Sequence, residues 1–148
     1  MSDSDELAHL MAADDPDASP ALLKIGEVAD IVGLSLRTIR FYEEEGLVLP
    51  ETRSAGGFRL YSSTATRRLA LIKRMKPLGF SVEEIGNVLE TLDELAGEVD
   101  DDARRKQLVA DLDAYRTRVE ERAADLIAKA ARGREFGAHL RDVADRHR

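Results

Sequence analysis

A mainly α fold is predicted for this 148-residue chain: a helix-turn-helix pair with a small β-hairpin, then a long C-terminal helix. Three observations predict it. A glycine and a serine punctuate two short apolar-periodic stretches between Ile25 and Gly46. A Gly56-Gly57 pair lies between short runs of basic and aromatic residues. From Asp101 to about Ala131 there is neither Pro nor Gly, and apolar residues recur at heptad spacing. Composition agrees, because 43% hydrophobic residues with only 5% aromatics suit small helical modules better than a deep enzyme pocket. The chain has no cysteine, which excludes disulfides and thiolate metal sites. No run has the length of a membrane span, and the N-terminus lacks a basic, then apolar, signal sequence. A cytoplasmic protein without membrane association is expected.

The net charge of −7 is unevenly distributed. Residues 1–20 carry six acids and no Lys or Arg, net −6. Residues 21–80 carry ten bases against six acids, net +4, and residues 81–148 carry twelve against seventeen, net −5. Phosphate binding depends on local Lys and Arg, which displace condensed counterions, so the basic middle third is the candidate nucleic-acid surface. Residues 1–21 read as a disordered acidic tail, since DDPDASP breaks any helix begun by Leu7, Leu10 and Met11. Solubility is its expected role, with shielding of the basic region as the alternative.

The elements follow in order. A helix from about Glu27 to Val32 has Val28, Ile31 and Val32 as its apolar face. Gly33 ends it by permitting positive φ, and Ser35 caps the next helix, Leu36 to Glu45. Leu36, Ile39 and Phe41 are expected inward, leaving Arg37, Arg40 and Tyr42 outside. In a helix-turn-helix the second helix enters the DNA major groove. A solvated helical hairpin is the alternative until the flanks are read. ETRSAGGFRLY then predicts a two-stranded hairpin, its glycines making the tight turn and its strands carrying Arg53, Arg59, Phe58 and Tyr61. Such a wing grips backbone or minor groove; as a plain connector it would plug the core with Phe58 and Leu60. Ser62 or Ser63 caps a third helix, Thr64 to Lys76, stopped by Pro77 and Gly79. Its core side is Leu69, Ile72 and Met75, and Arg67 and Lys73 are among the bases elsewhere. Ser81-Val82-Glu83-Glu84 is a capping box that opens a fourth helix with Ile85, Val88, Leu89 and Leu92 at helical spacing.

Three blocks, KIGEVADIVGLSLRTIRFYEEEGL, GGFRLYS and RRLALIKRMKPLGFSVEEIGNVL, together resemble the DNA-binding domain of the MerR family of bacterial transcription regulators. The resemblance spans about residues 23–92, in the family's order and spacing. Phe41 stands where a second tyrosine is frequent, and Ser63-Thr64-Ala65 replaces the usual acidic start of the third helix. The resemblance implies a winged helix-turn-helix over residues 22–94 that binds operator or promoter DNA as a homodimer. It places Arg37 and Arg40 on bases or phosphates, Tyr42 on backbone, Arg53 and Arg59 on the wing, and Tyr61 on phosphate. The third and fourth helices read as a second helix-turn-helix whose Arg67 and Lys73 add a basic second wing, with a solvated face as the alternative. Arginine suits these roles because its planar fork binds guanine or phosphate bidentately. Family members bend and untwist an overlong promoter spacer so that RNA polymerase engages both promoter elements, which is readout by deformation.

After Leu92 an acidic linker containing Gly97 is expected over 95–100, then a coiled-coil helix over 101–131. Leu108, Leu112, Tyr115, Val119 and Leu126 form its heptad seam, interrupted by Arg122 with Ala123 as a partial substitute. At 1.5 Å per residue such a helix reaches about 45 Å, and a single apolar stripe of that length needs a partner. The resemblance implies antiparallel pairing between subunits; a helix folded back on its own domain is the alternative. Residues 132–148 read as a short segment for effector binding or dimer packing. Family metal and redox sensors place cysteines near here, and this chain has none. Nor is there room for the large drug-binding domain of some members. Glu135, His139 and Asp142 have a spacing that could hold a divalent metal, but a salt-bridged face is the default, as Phe136, Leu140 and Val143 are for packing. No metal or cofactor is therefore expected. A small-molecule effector at the dimer interface stays open. With no phosphate loop and no histidine beside a nucleophile, an enzyme is not expected. The other readings are a ligand-free repressor or architectural protein, and a drug-sequestering relative.

Overall fold

The strand Leu23–Lys24 (β1) leads directly into the helix Ile25–Val32 (α1). The computed structural model describes residues 22–148, so the acidic tail expected over 1–21 lies outside the described residues. The chain divides into two units between Leu89 and Glu90.

In the first unit, α1 buries Val28, Ala29 and Val32, whereas Ile31 is half exposed. The inward face is thus i, i+1, i+4, with small Ala29 taking the place expected of Ile31. Gly33 ends the helix at φ 69°, its N–H bonded to the Ala29 carbonyl. Ser35 caps Leu36–Glu44 (α2) by accepting from the Thr38 N–H at 3.1 Å. Here the helical phase corrects the reading of the sequence. Ile39 and Tyr42 are buried, while Leu36 and Phe41 are about two-fifths exposed. Residues 39 and 42 lie one turn apart, so the tyrosine and not the phenylalanine shares the isoleucine's face.

The hairpin pairs Thr52–Arg53 (β2) with Arg59–Tyr61 (β3), with Arg53 opposite Arg59. Its turn is longer than a two-residue loop: Ser54 N–H donates to the Phe58 carbonyl at 2.8 Å, Ser54 Oγ accepts from Phe58 N–H at 3.1 Å, and only Gly57, at φ 80°, has positive φ there. β1 adds a third antiparallel strand, Leu23 opposite Tyr61, giving the order β1-β3-β2. Ser62 caps Ser63–Met75 (α3), and a 3-10 turn over Lys76–Leu78 ends at Gly79, φ 80°. The helix Val82–Ala96 (α4) opens with the predicted capping box: Ser81 N–H donates to Glu84 Oε2 at 2.9 Å, and Glu84 N–H to Ser81 Oγ at 3.1 Å. Val28, Ile39, Tyr61, Leu69, Ile72 and Ile85 are fully buried and form the core of this unit. Each apolar side chain so buried stabilises the fold by about 1.5–3 kcal/mol.

In the second unit, Asp102–Arg146 (α5) runs for 45 residues, roughly 67 Å at the usual rise. Asp101 caps it, accepting from the N–H groups of Ala103 and Arg104. The helix does not stop near Ala131: Gly133 and Gly137 sit inside it at open positions. A glycine there costs about 1 kcal/mol relative to alanine without breaking a helix held on both sides. Arg104 forks onto both carboxylate oxygens of Glu94 at 2.6 Å, linking the start of α5 to the end of α4. Leu108 is buried, Leu112, Tyr115 and Val119 are half-buried, and Leu126 is exposed.

Candidate nucleic-acid interface

The helix α2 carries Arg37 and Arg40 on exposed positions, and neither hydrogen-bonds to another described residue. The capped turn before it and the buried Ile39 and Tyr42 fix which way that face points. Beside it, the hairpin presents Arg53, whose Nη1 donates to the Gly57 carbonyl at 3.2 Å across the turn. Phe58 stands out at the tip, 61% exposed, with Lys24 Nζ 5.3 Å from its ring centre. Two arginines on a helix and a basic, aromatic hairpin are suited to phosphate and base-edge contact.

Other expected contact residues are held by the protein itself. Tyr42 is 5% exposed, so its ring is part of the core; burial raises its pKa. Tyr61 is fully buried and donates its hydroxyl to Glu43 Oε2 at 2.5 Å. Burial first, then that carboxylate, pushes its pKa up to about 12, against the opposing charges of Arg59 and Arg40. Arg59 Nε lies 3.1 Å from Glu43 Oε1, an ion pair not aligned as a hydrogen bond. Lys73 Nζ donates to the Val32 carbonyl at 2.8 Å, capping the C-terminus of α1. That is a structural role. Arg67 is half-buried and reaches Thr64 Oγ1 at 3.4 Å. Arg68, which the sequence did not single out for this, donates from Nε to the Leu47 carbonyl at 2.8 Å. Glu43 was likewise hidden within the run EEE; its only signal is its place one turn after Arg40.

Residues 23–92 match the model described as MerR HTH family regulatory protein, and residues 66–143 match MerR, DNA binding. The HTH-type transcriptional regulator CueR of Escherichia coli O6:H1 is 33% identical over 109 residues, covering 73% of this chain and 81% of that protein. The chain belongs to the MerR family. The mercuric resistance operon regulatory protein of Bacillus cereus is 44% identical over 70 residues, 47% of this chain and 53% of that one. The fold is also that of HiNmlR, a MerR-family regulator lacking the sensor domain, solved bound to promoter DNA. There the TM-score is 0.53, the identity 23%, and the coverage 71% of this chain and 79% of that one. As a MerR-family member this chain is a DNA-binding transcriptional regulator. Among the described residues no group of three or more His, Asp or Glu is placed to hold a metal ion. No described helix is long and apolar enough to cross a membrane.

Proposed function

We propose that this MerR-family regulator binds promoter DNA as a homodimer and acts on transcription by distorting the promoter spacer. Residues 22–94 form the DNA-binding part, with Arg37 and Arg40 of α2 in the major groove. Arg53 of the wing, with Arg67 of α3, meets flanking phosphates, and Arg59 pairs with Glu43 at the base of the wing. The observation that carries this is the pair Arg37 and Arg40, exposed on a capped helix with no hydrogen bond or ion pair to another described residue. In a chain of net charge −7, two such arginines in its only basic third are suited to phosphate.

The helix α5 supplies the second copy's contact. Leu108, Leu112, Tyr115, Val119 and Leu126 form a stripe whose exposure rises along the helix, and Ile127, Phe136 and Leu140 are exposed beyond it. An isolated helix of this length with one apolar stripe is stabilised by a partner helix, here an antiparallel one. Two copies then present two recognition helices to a palindromic site. RNA polymerase is an indirect partner, reached through the altered promoter. The protein works by binding and not by catalysis, in the cytoplasm where its DNA lies.

Selection from a random-sequence duplex pool, followed by fluorescence anisotropy on the recovered duplex, tests the reading. Affinity should fall steeply with salt, because each neutralised phosphate contributes roughly 0.9 to the slope of log K against log salt. No enriched duplex, together with a flat salt response, would exclude it.

A further inference from the structure

Arg59 and Tyr61 are two residues apart on β3 and so project from the same face of the strand. Both end on Glu43 of α2: the Tyr61 hydroxyl at 2.5 Å and Arg59 Nε at 3.1 Å, with the Glu43 side chain only 15% exposed. Arg40, one turn earlier on α2, adds a third positive or donor group near the same place. Among the described residues no other side chain of α2 hydrogen-bonds or ion-pairs with β3. Groups of this kind are those that hold a phosphate, yet here they converge on a carboxylate of the same chain. The Tyr61 bond to the carboxylate is charge-assisted, hence strong and directional, and together with the Arg59 ion pair it gives one carboxylate two partners on a strand, which fixes that strand's angle.

We propose that Glu43 is a positioning residue for DNA binding: it sets the wing against the recognition helix, so that removing this acid weakens binding to DNA. This rests on the DNA interface proposed above. The sign is the test, since a carboxylate that merely faced DNA would repel phosphate, and its loss would tighten binding.

The experiment measures Kd for the selected duplex by anisotropy, with melting followed in parallel. E43A should bind about tenfold more weakly than the parent while still melting cooperatively, the size expected for loss of a charged hydrogen bond. E43Q keeps an acceptor oxygen for Tyr61 and should regain most of that affinity. An E43A protein that binds as tightly as the parent, or tighter, overturns the proposal while leaving the DNA-binding reading intact. Failure of the parent itself to bind would instead remove that reading. If E43A does not melt cooperatively, Y61F and E43Q/Y61F decide. A loss in Y61F that E43Q does not deepen supports a shared unit, and fully additive losses overturn it.

Discussion

Lys73 Nζ donates to the Val32 carbonyl at 2.8 Å, joining α3 to the end of a helix 41 positions earlier. A cation there satisfies one orphan carbonyl and complements the negative end of the α1 dipole. Lys73→Met should therefore lower stability by roughly 1 kcal/mol, the exposed ammonium being partly served by water. Its Kd for the selected duplex and its salt slope should match the parent's. A shallower salt slope in K73M would return Lys73 to the DNA interface.

Gly33 is constrained twice. Its φ is 69°, and a Cβ built there would lie 2.8 Å from Lys73 Nζ. Gly33→Ala should cost roughly 1–3 kcal/mol from left-handed strain together with displacement of that side chain. In the G33A/K73A double variant the clash vanishes and only the strain remains. Chemical denaturation should then show a total loss smaller than the sum of the single losses.

These two residues also show how far the sequence could be read. Gly33, Ser35 and the Ser81–Glu84 box act through atoms three or four positions away, so their signals are local and the structure bears them out. The partners of Lys73, Arg59 and Tyr61, which are Val32 and Glu43, are distant in the chain, so no local signal shows them. Propensity and periodicity say nothing of such pairs. The strand β1 was missed for another reason: Leu23 and Lys24 are too few to alternate, and their strand character comes from lying beside β3. Phe41 and Tyr42 were exchanged because adjacent aromatics leave the helical phase undecided until the core is known. The length of α5 was underread because Gly133 and Gly137 look like stops.

Arg40→Ala removes an exposed guanidinium that pairs with no described residue. Folding stability should be unchanged within about 0.5 kcal/mol, as for surface substitutions generally. Affinity for the selected duplex should fall by about 1–3 kcal/mol if the fork reads a base, with relaxed preference at one position. Competition between duplexes differing at single positions checks this, and an unchanged Kd would remove Arg40 from the interface.

Tyr61 gives a pH dependence of definite sign. Its folded pKa of about 12 lies above the ordinary tyrosine value of 10.0, so the unfolded chain loses the phenolic proton first as pH rises. The stabilisation is complete below about pH 10 and is lost as pH climbs through the folded value. Denaturation midpoints at a series of alkaline pH values should fall more steeply in the parent than in Y61F. Parallel curves would mean that the Tyr61 hydroxyl is not buried against Glu43 in solution.

Two copies joined through α5 are expected to meet one duplex. Sedimentation velocity of the protein with the labelled selected duplex, at low salt and protein in excess, measures this directly. We expect the duplex to sediment as a single complex with the mass of two chains added. A duplex that carries one chain, or none, would contradict it.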